Sequence, residues 1–307
     1  MNNNIKQAVS LLNEGKLVAF PTETVYGLGA DAENDLAVAS IFEAKGRPSF
    51  NPLIVHVSDI EMAEKYALFN DNARLAYSKF CPGAFTMVLP RNKSSKLSYL
   101  VTAGLDTVAI RIPKHPLIQD ILKSFKKGIA APSANASGTV SPTTAEHVFS
   151  SLGSRVDLIL DGGSCEVGLE STIVDFSEER PAILRHGFVT KEDLEQVFST
   201  VDINDKITKN PKAPGMLASH YAPSLKLRIN VETPDKGEAF LGFGDVVCDA
   251  NLSEKSDLRE AASNLFAYIR MLDDNNKYSG IAVAPIPEYG LGLAINDRLK
   301  RAAAPKN

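Results

Sequence analysis

The chain has 307 residues, of which 44% are hydrophobic and 23% charged, so it is long enough to form two globular domains of ordinary composition. Its formal net charge is −4, which argues against a protein that binds nucleic acid mainly through the phosphate backbone, because such binding requires an excess of Lys and Arg. Three well-separated cysteines and the lack of a long apolar run argue against a disulfide framework, a zinc site and a membrane span, and predict a cytoplasmic protein.

Helices and strands alternate through the first 200 residues. Apolar residues at helical spacing predict helices near 5–12, 38–46, 59–68 and 71–80, and Thr190 with Asp193 resembles a capping box before a later helix. Short apolar runs predict strands at 17–22, 54–57, 85–89, 107–112, 129–131, 158–160 and 172–176. The strongest helix start is predicted at Ser141, a good N-cap residue, with Pro142 in the first helical position. Several strands follow one another without a helix between them, so we expect an α/β sheet that is not purely parallel.

The chain becomes polar and irregular from about residue 201 to residue 224. This segment contains Pro211, Pro214 and Pro223 and no periodic pattern, which predicts a linker that is long for a loop and therefore either disordered or functional. Beyond it, strands are predicted near 225–230, 240–243 and 281–284, and helices near 256–272 and 292–303. We therefore expect a second, small α/β domain over residues 225–307.

The segment from Gly27 to Ala32 matches the G-x-G-x-x-A fingerprint of dinucleotide-binding proteins. The residues before it do not form an uninterrupted strand and the next helix begins only near Asp35, so a simple turn is the better interpretation. The sequence contains no G-x-x-x-x-G-K-[ST], H-E-x-x-H or G-x-S-x-G motif. These absences argue against a P-loop, a zinc peptidase and a serine hydrolase.

Two cations precede a rigid turn in the segment from Lys45 to His56. Pro48 and Pro52 each fix φ and restrict the residue before them, so Lys45 and Arg47 are held in defined directions ahead of the strand that carries His56. Aimed cations beside a histidine suit a phosphate or carboxylate ligand. For this segment alone, a basic helix end that complements the helix dipole is an equal alternative.

Polar residues at the ends of other predicted strands favour the ligand site. They occur at 22–24, 131–138, 168–172 and 185–187. Arg111 lies within an apolar run, where an arginine is either paired internally or faces a ligand in a cleft. Several such loops on one sheet predict a cleft for an anionic ligand at the strand ends.

The motifs at these positions resemble the YrdC-like threonylcarbamoyl-AMP synthases. The resemblance rests on Pro21-Thr22-Glu23-Thr24-Val25-Tyr26-Gly27-Leu28-Gly29, Lys45-Gly46-Arg47-Pro48, Asn51-Pro52-Leu53, Ser133-Ala134-Asn135 and Ser171-Thr172. Ala213-Pro214-Gly215-Met216 and Ser219-His220-Tyr221-Ala222-Pro223 are similar to the linker of the long, two-domain branch of that family. The resemblance implies a YrdC-like twisted mixed sheet with helices around a ligand cleft, plus a small Rossmann-like α/β C-terminal domain. The implied division is a catalytic domain over 1–200, a linker that forms a lid over 201–224, and the C-terminal domain over 225–307.

The resemblance also implies an activity. Members of the family make threonylcarbamoyl-AMP and pyrophosphate from L-threonine, bicarbonate or CO₂, and ATP with Mg²⁺, which the ATP phosphates would mainly hold. Downstream transferase proteins then move the threonylcarbamoyl group to the adenosine beside the anticodon of ANN-decoding tRNAs. We expect a cytoplasmic monomer whose own contact with tRNA is at most weak.

By the same resemblance, residues can be assigned to each substrate. Threonine would be bound by Thr24, His56, Arg111, Ala131 and Ser171. ATP would be bound by Lys45, Arg47, Asn51, Thr107, Ser133, Asn135, Ser141, Arg185 and Tyr221. Lys45 and Arg47 would be the catalytic residues, because their charges can stabilise the leaving pyrophosphate.

Two other functions fit the sequence less well. An RNA-binding module would place nucleic acid in the cleft, but the chain is acidic overall and lacks an aromatic and basic stripe. An NAD-dependent enzyme would use Gly27 and Gly29, which depends on the weak fingerprint. Filter binding over a salt series and titration of nicotinamide fluorescence would test the two alternatives.

Overall fold

The computed structural model describes residues 3–205, 211–216 and 219–305, and its larger unit is a ten-stranded sheet. The strands are β1 Val18–Phe20, β2 Gly27–Asp31, β3 Ile54–His56, β4 Phe85–Pro90, β5 Thr107–Arg111, β6 Ile129–Ala130, β7 Leu158–Ile159, β8 Thr172–Asp175, β9 Ala182–Arg185 and β10 Asp202–Ile203. In space they follow the order β10-β9-β8-β4-β5-β3-β6-β2-β1-β7. Strand β3 is parallel to β5, whereas β4 and β5 are antiparallel. The predicted mixed sheet is confirmed.

Helices pack against one face of this sheet and against part of the other face. They are α1 Asn3–Asn13, α2 Asp35–Lys45, α3 Ile60–Glu64, α4 Asp71–Phe80, α5 Tyr99–Thr102, α6 Pro116–Phe125, α7 Ala145–Leu152 and α8 Lys191–Glu195, with a 3₁₀ turn at Gly153–Arg155. Successive residues of a strand point to opposite faces. In β1, Val18 and Phe20 belong to an apolar cluster with α1 and α6, whereas Ala19 belongs to the main core on the other side. The Thr190–Asp193 capping box is present at α8.

The prediction that a helix begins at Ser141 is wrong. Helix α7 begins at Ala145, and its N-cap is Thr144, whose side chain accepts a hydrogen bond from the His147 N–H. The Ser141 hydroxyl instead donates to Glu170 Oε1 at 2.6 Å, and both residues are buried. The Ser141 hydroxyl therefore binds a residue that is distant in the sequence and does not cap the helix.

The interpretation of Gly27 and Gly29 as a turn is also wrong, because both lie in β2. A Cβ atom on Gly29 would lie 2.5 Å from Cε1 of Phe20, and one on Gly27 would lie 3.0 Å from the same ring. Strand β2 pairs with β1, so the two glycines leave room for the buried Phe20 ring. They serve packing between neighbouring strands and do not form a phosphate-binding turn before a helix.

A second, smaller sheet follows the linker. Its strands are β11 Leu227–Arg228, β12 Glu238–Gly242, β13 Ala250–Asn251 and β14 Gly280–Val283, all parallel, in the order β11-β14-β12-β13. Helix α9 Leu258–Leu272 is capped by Asp257, and helix α10 Leu291–Ala303 closes the domain. The predicted small α/β domain is confirmed. Among the described residues, no helix is long and apolar enough to cross a membrane.

The predicted lid over 201–224 lies partly outside the described residues, at 206–210 and 217–218. In its described parts, β10 pairs with β9 of the large sheet. Ala213 and Met216 pack in an apolar cluster with residues of β3, β4, β5, β8 and β9. Farther on, Tyr221 packs in the core of the C-terminal domain. The domain boundaries and the lid remain predictions.

Candidate active site

A cavity lies over the large sheet where several predicted ligand residues meet. It is lined by Thr22, Val25, Tyr26, Gly27, Arg47, Ile54, His56, Arg111, Ala131, Pro132, Ser133, Glu170, Ser171, Arg185, Pro214, Gly215, His220 and Tyr221. Ile54 and His56 are the first and last residues of β3 and point to the same face. The cavity therefore lies against one face of the sheet.

One end of the cavity contains a buried ion pair beside a histidine. Arg111 is the last residue of β5, and its Nη2 lies 2.8 Å from Glu23 Oε1. The second oxygen of Glu23 accepts the Lys114 N–H at 3.0 Å, and Arg111 pairs with His56 across β5 and β3. Burial alone would raise the pKa of Glu23, but the charge and hydrogen bonds of Arg111 lower it below its ordinary value. Arg111 is thus both internally paired and exposed to the cavity.

His56 is neutral at physiological pH, and one of its ring nitrogens has no hydrogen-bond partner in the described part of the chain. Burial, together with the neighbouring Arg111 charge, lowers the pKa of His56 to about 3. Its ring meets the Phe20 ring edge-on, and its buried Nδ1 has no hydrogen-bond partner among the residues described. Such an unsatisfied buried atom in a cavity indicates a place where a ligand can complete the hydrogen bonding.

The other end contains two buried arginines that bind backbone carbonyls. Arg47 donates from Nε to the Asn51 carbonyl and from Nη2 to the Pro52 carbonyl, at 3.2 and 2.9 Å. Arg185 donates from Nη2 to the Ser171 carbonyl at 2.9 Å. Burial lowers the pKa of Arg47 to about 10 and also lowers that of Arg185. Within the described ranges neither guanidinium forms an ion pair with a carboxylate, so this end can accept an anion.

Two aromatic residues of the linker, His220 and Tyr221, line the cavity together with Arg47 and Arg185. The Tyr221 ring stacks on Phe266 of α9 with 5.4 Å between centroids, and the Tyr221 side chain is only 1% exposed. Burial raises the pKa of Tyr221 to about 12, and burial with the Arg47 and Lys45 charges lowers that of His220 far below its ordinary value. In the described structure, the Tyr221 hydroxyl and His220 Nδ1 are buried without a hydrogen-bond partner.

Lys45 does not line the cavity, although the sequence assigns it a catalytic role. Its Nζ donates to the carbonyls of Ser133 and Asn135, so it supports the loop that follows β6. Burial, followed by the Arg47 and Arg155 charges, lowers the pKa of Lys45 well below its ordinary value. A direct contact with substrate would require Lys45 to leave these carbonyls.

The structure brings most of the predicted ligand residues together. Those that line the cavity are Arg47, His56, Arg111, Ala131, Ser133, Ser171, Arg185 and Tyr221. Those outside its lining are Thr24, Lys45, Asn51, Thr107, Asn135 and Ser141. Thr24 is buried next to Thr22, with 2.8 Å between their hydroxyls, and the Oδ1 atoms of Asn51 and Asn135 are buried without a partner in the described residues. Thr107 lies at the opposite end of β5 from Arg111. The individual roles of all these residues remain predictions.

Several residues in and around the site were given no role from the sequence, among them Glu170 and Arg298. Glu170 lines the cavity, and its Oε2 accepts a hydrogen bond from Nε of Arg298 on α10 at 3.1 Å. Arg298 has an exposure of 0%. Arg298 lies between Asp297 and Lys300 in a polar stretch of the helix, so the sequence gives no local sign of its burial, unlike Arg111 in its apolar strand.

The described residues contain no group of three or more His, Cys, Asp or Glu side chains that could hold a metal ion. The two buried carboxylates at the site, Glu23 and Glu170, are each paired with an arginine. A Mg²⁺ ion that accompanies ATP therefore fits this site better as a companion of the phosphates than as an ion held by a protein cage.

Two family models match the chain. The model described as Telomere recombination, which groups Sua5, YciO and YrdC, matches residues 10–187. The model described as Threonylcarbamoyl-AMP synthase, C-terminal domain, matches residues 189–304. The predicted resemblance is therefore confirmed in both parts of the chain.

Similar proteins match along nearly their whole length. The threonylcarbamoyl-AMP synthase of Bacillus subtilis is 40% identical over 97% of this chain and 92% of its own. That of Schizosaccharomyces pombe is 34% identical over 98% of this chain and 88% of its own. The crystal structure of Pyrococcus abyssi Sua5 complexed with L-threonine has a TM-score of 0.90 and 38% identity, and covers 97% of this chain and 94% of that one. This chain belongs to the Sua5/YrdC family of threonylcarbamoyl-AMP synthases and has the C-terminal domain of the long branch.

Proposed function

We propose that this enzyme joins L-threonine, bicarbonate or CO₂, and ATP into threonylcarbamoyl-AMP and pyrophosphate. The observation that carries the proposal is a cavity with Arg111 at one end and Arg47 and Arg185 at the other, where these two arginines have no carboxylate partner among the described residues. Such a cavity suits a carboxylate at one end and a polyphosphate at the other. The likeness to a Sua5 structure with bound L-threonine supports the amino acid as one substrate.

Threonine would bind at the Arg111 end. Arg111 can hold the amino acid's carboxylate through its planar fork, and Glu23 fixes the guanidinium in place. Neutral His56 offers its free ring nitrogen to a polar group of threonine, for example the hydroxyl. Thr24, Ala131 and Ser171 complete the proposed set, of which Ala131 and Ser171 line the cavity.

ATP would bind at the end where Arg47, Arg185 and Tyr221 meet, with Ser133 beside them. Lys45, Asn51, Asn135, Ser141 and Thr107 are the other residues proposed for ATP. The substrate would be the Mg²⁺ complex of ATP, in which the ion neutralises part of the phosphate charge. Arg47 can then stabilise the negative charge that develops on the departing pyrophosphate.

The reaction needs no covalent bond to the enzyme. The amine of threonine attacks CO₂ and loses a proton to give a carbamate, or attacks bicarbonate to give the same carbamate with release of one water molecule. A carbamate oxygen then attacks the α-phosphorus of ATP. The bond between the α-phosphorus and the bridging oxygen breaks, and pyrophosphate leaves with its electron pair. The chain's contribution is to hold the two substrates in line and to stabilise the developing charge.

The linker would keep water away from the product. A mixed anhydride of a carbamate and AMP hydrolyses easily, so a covered site preserves it. Tyr221 and Gly215 line the cavity and come from the linker, which supports a lid over 201–224. Threonine and ATP together should then slow proteolysis within 205–222, and unchanged cleavage would argue against the lid.

The product would serve threonylcarbamoylation of tRNA. Downstream transferase proteins would take the threonylcarbamoyl group to the adenosine beside the anticodon of ANN-decoding tRNAs. The net charge of −4 supports at most weak tRNA contact by this chain. A cytoplasmic monomer remains our expectation for its location and assembly.

Pyrophosphate release from ATP tests the proposal. It should require L-threonine and bicarbonate together, because the carbamate is the nucleophile, and other amino acids should support it poorly. Release that needs threonine but is equally fast after bicarbonate and CO₂ have been removed would contradict the carbamate step and indicate aminoacyl adenylation. Release without any amino acid would contradict the threonine site.

A further inference from the structure

We propose that Arg298, on the last helix of the C-terminal domain, is a positioning residue for the nucleotide end of the synthase site. It acts by fixing the Glu170 carboxylate and the Tyr221 ring, both of which line the cavity. The inference rests on the proposed function and deepens it, because it gives the C-terminal domain a part in binding ATP.

The Arg298 guanidinium connects three parts of the chain. Its Nε donates to Glu170 Oε2 at 3.1 Å, and its Nη1 donates to the His186 carbonyl at 2.7 Å. Nη1 also lies 2.9 Å from Oδ2 of Asp297, the preceding residue on α10. Glu170 and His186 belong to the large domain, so this single side chain joins α10 to the segments before β8 and after β9.

Glu170 connects Arg298 to the lining of the cavity. One of its oxygens binds Arg298, and the other accepts the hydroxyl of Ser141 at 2.6 Å. Ser141 is among the residues proposed for ATP, and Ser171, the next residue after Glu170, binds Arg185. A carboxylate that is hydrogen-bonded through both oxygens keeps one orientation. Ser141 and Ser171, which are next to it, are then also held in place.

Two residues of the C-terminal domain contact the Tyr221 ring. Its ring stacks on Phe266, and the Arg298 guanidinium carbon lies 5.5 Å from the ring centroid. The residue adopts φ 62°, an uncommon backbone conformation for a residue with a side chain, so the surrounding contacts have to hold it there. Two of its ring contacts come from α9 and α10 and a third from the neighbouring His220 ring, 4.0 Å away between centroids, although the Tyr221 ring itself lines the cavity.

An ordinary stabilising role explains this arrangement less well. A buried ion pair adds little net stability compared with apolar residues of the same size, because two charges must be removed from water. The planar fork of arginine, however, can reach a carboxylate and a carbonyl while its face covers a ring, which lysine cannot do. The arrangement therefore suits precise placement of Glu170 and Tyr221.

The test compares nucleotide and threonine affinity in full-length variants. Arg298→Gln removes the charge, and Arg298→Lys keeps a charge beside Glu170, so at least the second variant should fold. The matched control is Arg228→Gln, because Arg228 also binds a glutamate in the C-terminal domain, Glu238, at 2.6 and 2.9 Å. Calorimetric titration gives the Kd of a non-hydrolysable ATP analogue and of threonine, and thermal unfolding reports the stability of each variant.

We expect both Arg298 variants to bind the ATP analogue about tenfold more weakly, with the Kd for threonine changed less than twofold. Arg228→Gln should change neither Kd. The double variant with Arg298→Lys and Tyr221→Ala should lose less ATP-binding free energy than the sum of the two single losses. The reason is that Arg298 acts partly by holding Tyr221.

Three results would overturn the inference. They are unchanged ATP binding in both Arg298 variants, an equal loss of ATP and threonine binding that follows the loss of stability, and full additivity with Tyr221→Ala. Failure of the proposed function would look different, because the unchanged enzyme would then release no pyrophosphate with threonine and bicarbonate.

Discussion

At the Arg111 end of the cavity, the ligand-facing residues stand on strands of the sheet, whereas at the Tyr221 end several stand on a turn and on the linker. Arg111 and His56 are the last residues of two paired strands, and Glu23 holds the guanidinium. Arg47 follows α2 in a turn, and Tyr221 is placed by contacts with the C-terminal domain. The first end is therefore fixed by the sheet, and the second is assembled from separate segments.

This difference predicts that the two substrates respond to different changes. Substitutions at the Arg111 end should affect threonine alone, because Arg111 and His56 are held by the pairing of β5 with β3 and by the ion pair with Glu23. Substitutions in the linker or the C-terminal domain should affect ATP alone. A change that affects both substrates equally would show that the cavity behaves as one unit.

The largest effect is expected from Arg111→Lys. Lysine keeps the charge but loses the planar fork that binds a carboxylate through two hydrogen bonds, so it should be nearly as harmful as Arg111→Ala. A lost charge-assisted contact of ~1.5–3 kcal/mol corresponds to roughly a ten- to hundredfold lower kcat/KM for threonine. Steady-state kinetics with each substrate varied in turn should show little change in the KM for ATP. If ATP binding collapses and threonine binding survives, the two ends have been assigned the wrong way round.

Replacing threonine by serine in the assay should have the next largest effect. One methyl group in a fitted pocket contributes ~1–3 kcal/mol, so kcat/KM for serine should be lower by about tenfold or somewhat more. The KM for ATP, measured at saturating amino acid, should be the same with both. Equal kcat/KM values for the two amino acids would show that the Arg111 end does not recognise the methyl group.

Gly215→Ala should weaken ATP binding by several-fold. Gly215 has φ +88°, and a Cβ atom there would lie 2.7 Å from Cδ of Arg185, so alanine strains the linker and displaces the guanidinium. A left-handed backbone conformation costs a non-glycine residue about 1–2 kcal/mol. Gly104→Ala is the control, since Gly104 has φ +79° with no atom within 4 Å of the added Cβ. The account fails here if both variants raise the KM for ATP equally, or if the KM for threonine rises instead.

The effect expected to be smallest near neutral pH, and to grow as the pH falls, is the contribution of His56 to stability. The folded-state pKa of about 3 lies below the ordinary value of 6.5, so the unfolded chain binds a proton first as the pH falls. The stability due to neutral His56 is therefore fully present above pH ~6.5 and is lost as the pH falls from ~6.5 toward about 3, at about 1.4 kcal/mol per pH unit. Chemical denaturation at several pH values gives the slope of the unfolding free energy against pH. His56→Gln should lower that slope by about 1.4 kcal/mol per pH unit. Equal slopes in both proteins would show that His56 is not held neutral by burial.

Local patterns predicted the elements well where each residue's partners lie nearby in the chain. Gly46 ends α2 with φ 61°, as its position after an apolar helical pattern indicated, and the Thr190 capping box is present. Helix α6 was not predicted, although Pro116 at its start and buried residues at helical spacing were a readable signal. The error at Ser141 has a different cause, because its hydroxyl binds Glu170, 29 residues away.

In the site, too, residues marked by the local sequence were found, and a residue that depends on a distant partner was missed. Arg111 and His56 could be recognised because each breaks the apolar pattern of a strand, and family motifs pointed to Arg47 and Arg185. Arg298 was missed because its importance comes from a partner 128 residues earlier in the chain. No local rule connects α10 to Glu170, and only the packing of the two domains brings them together.

The origin of the carbamoyl carbon tests the central claim most directly. The enzyme should be incubated with ATP, Mg²⁺, L-threonine and ¹³C-bicarbonate, and the nucleotide product analysed by mass spectrometry. The account predicts threonylcarbamoyl-AMP that carries one ¹³C atom, formed together with an equal amount of pyrophosphate. An unlabelled threonyl-AMP, or no nucleotide product that depends on threonine, would contradict it.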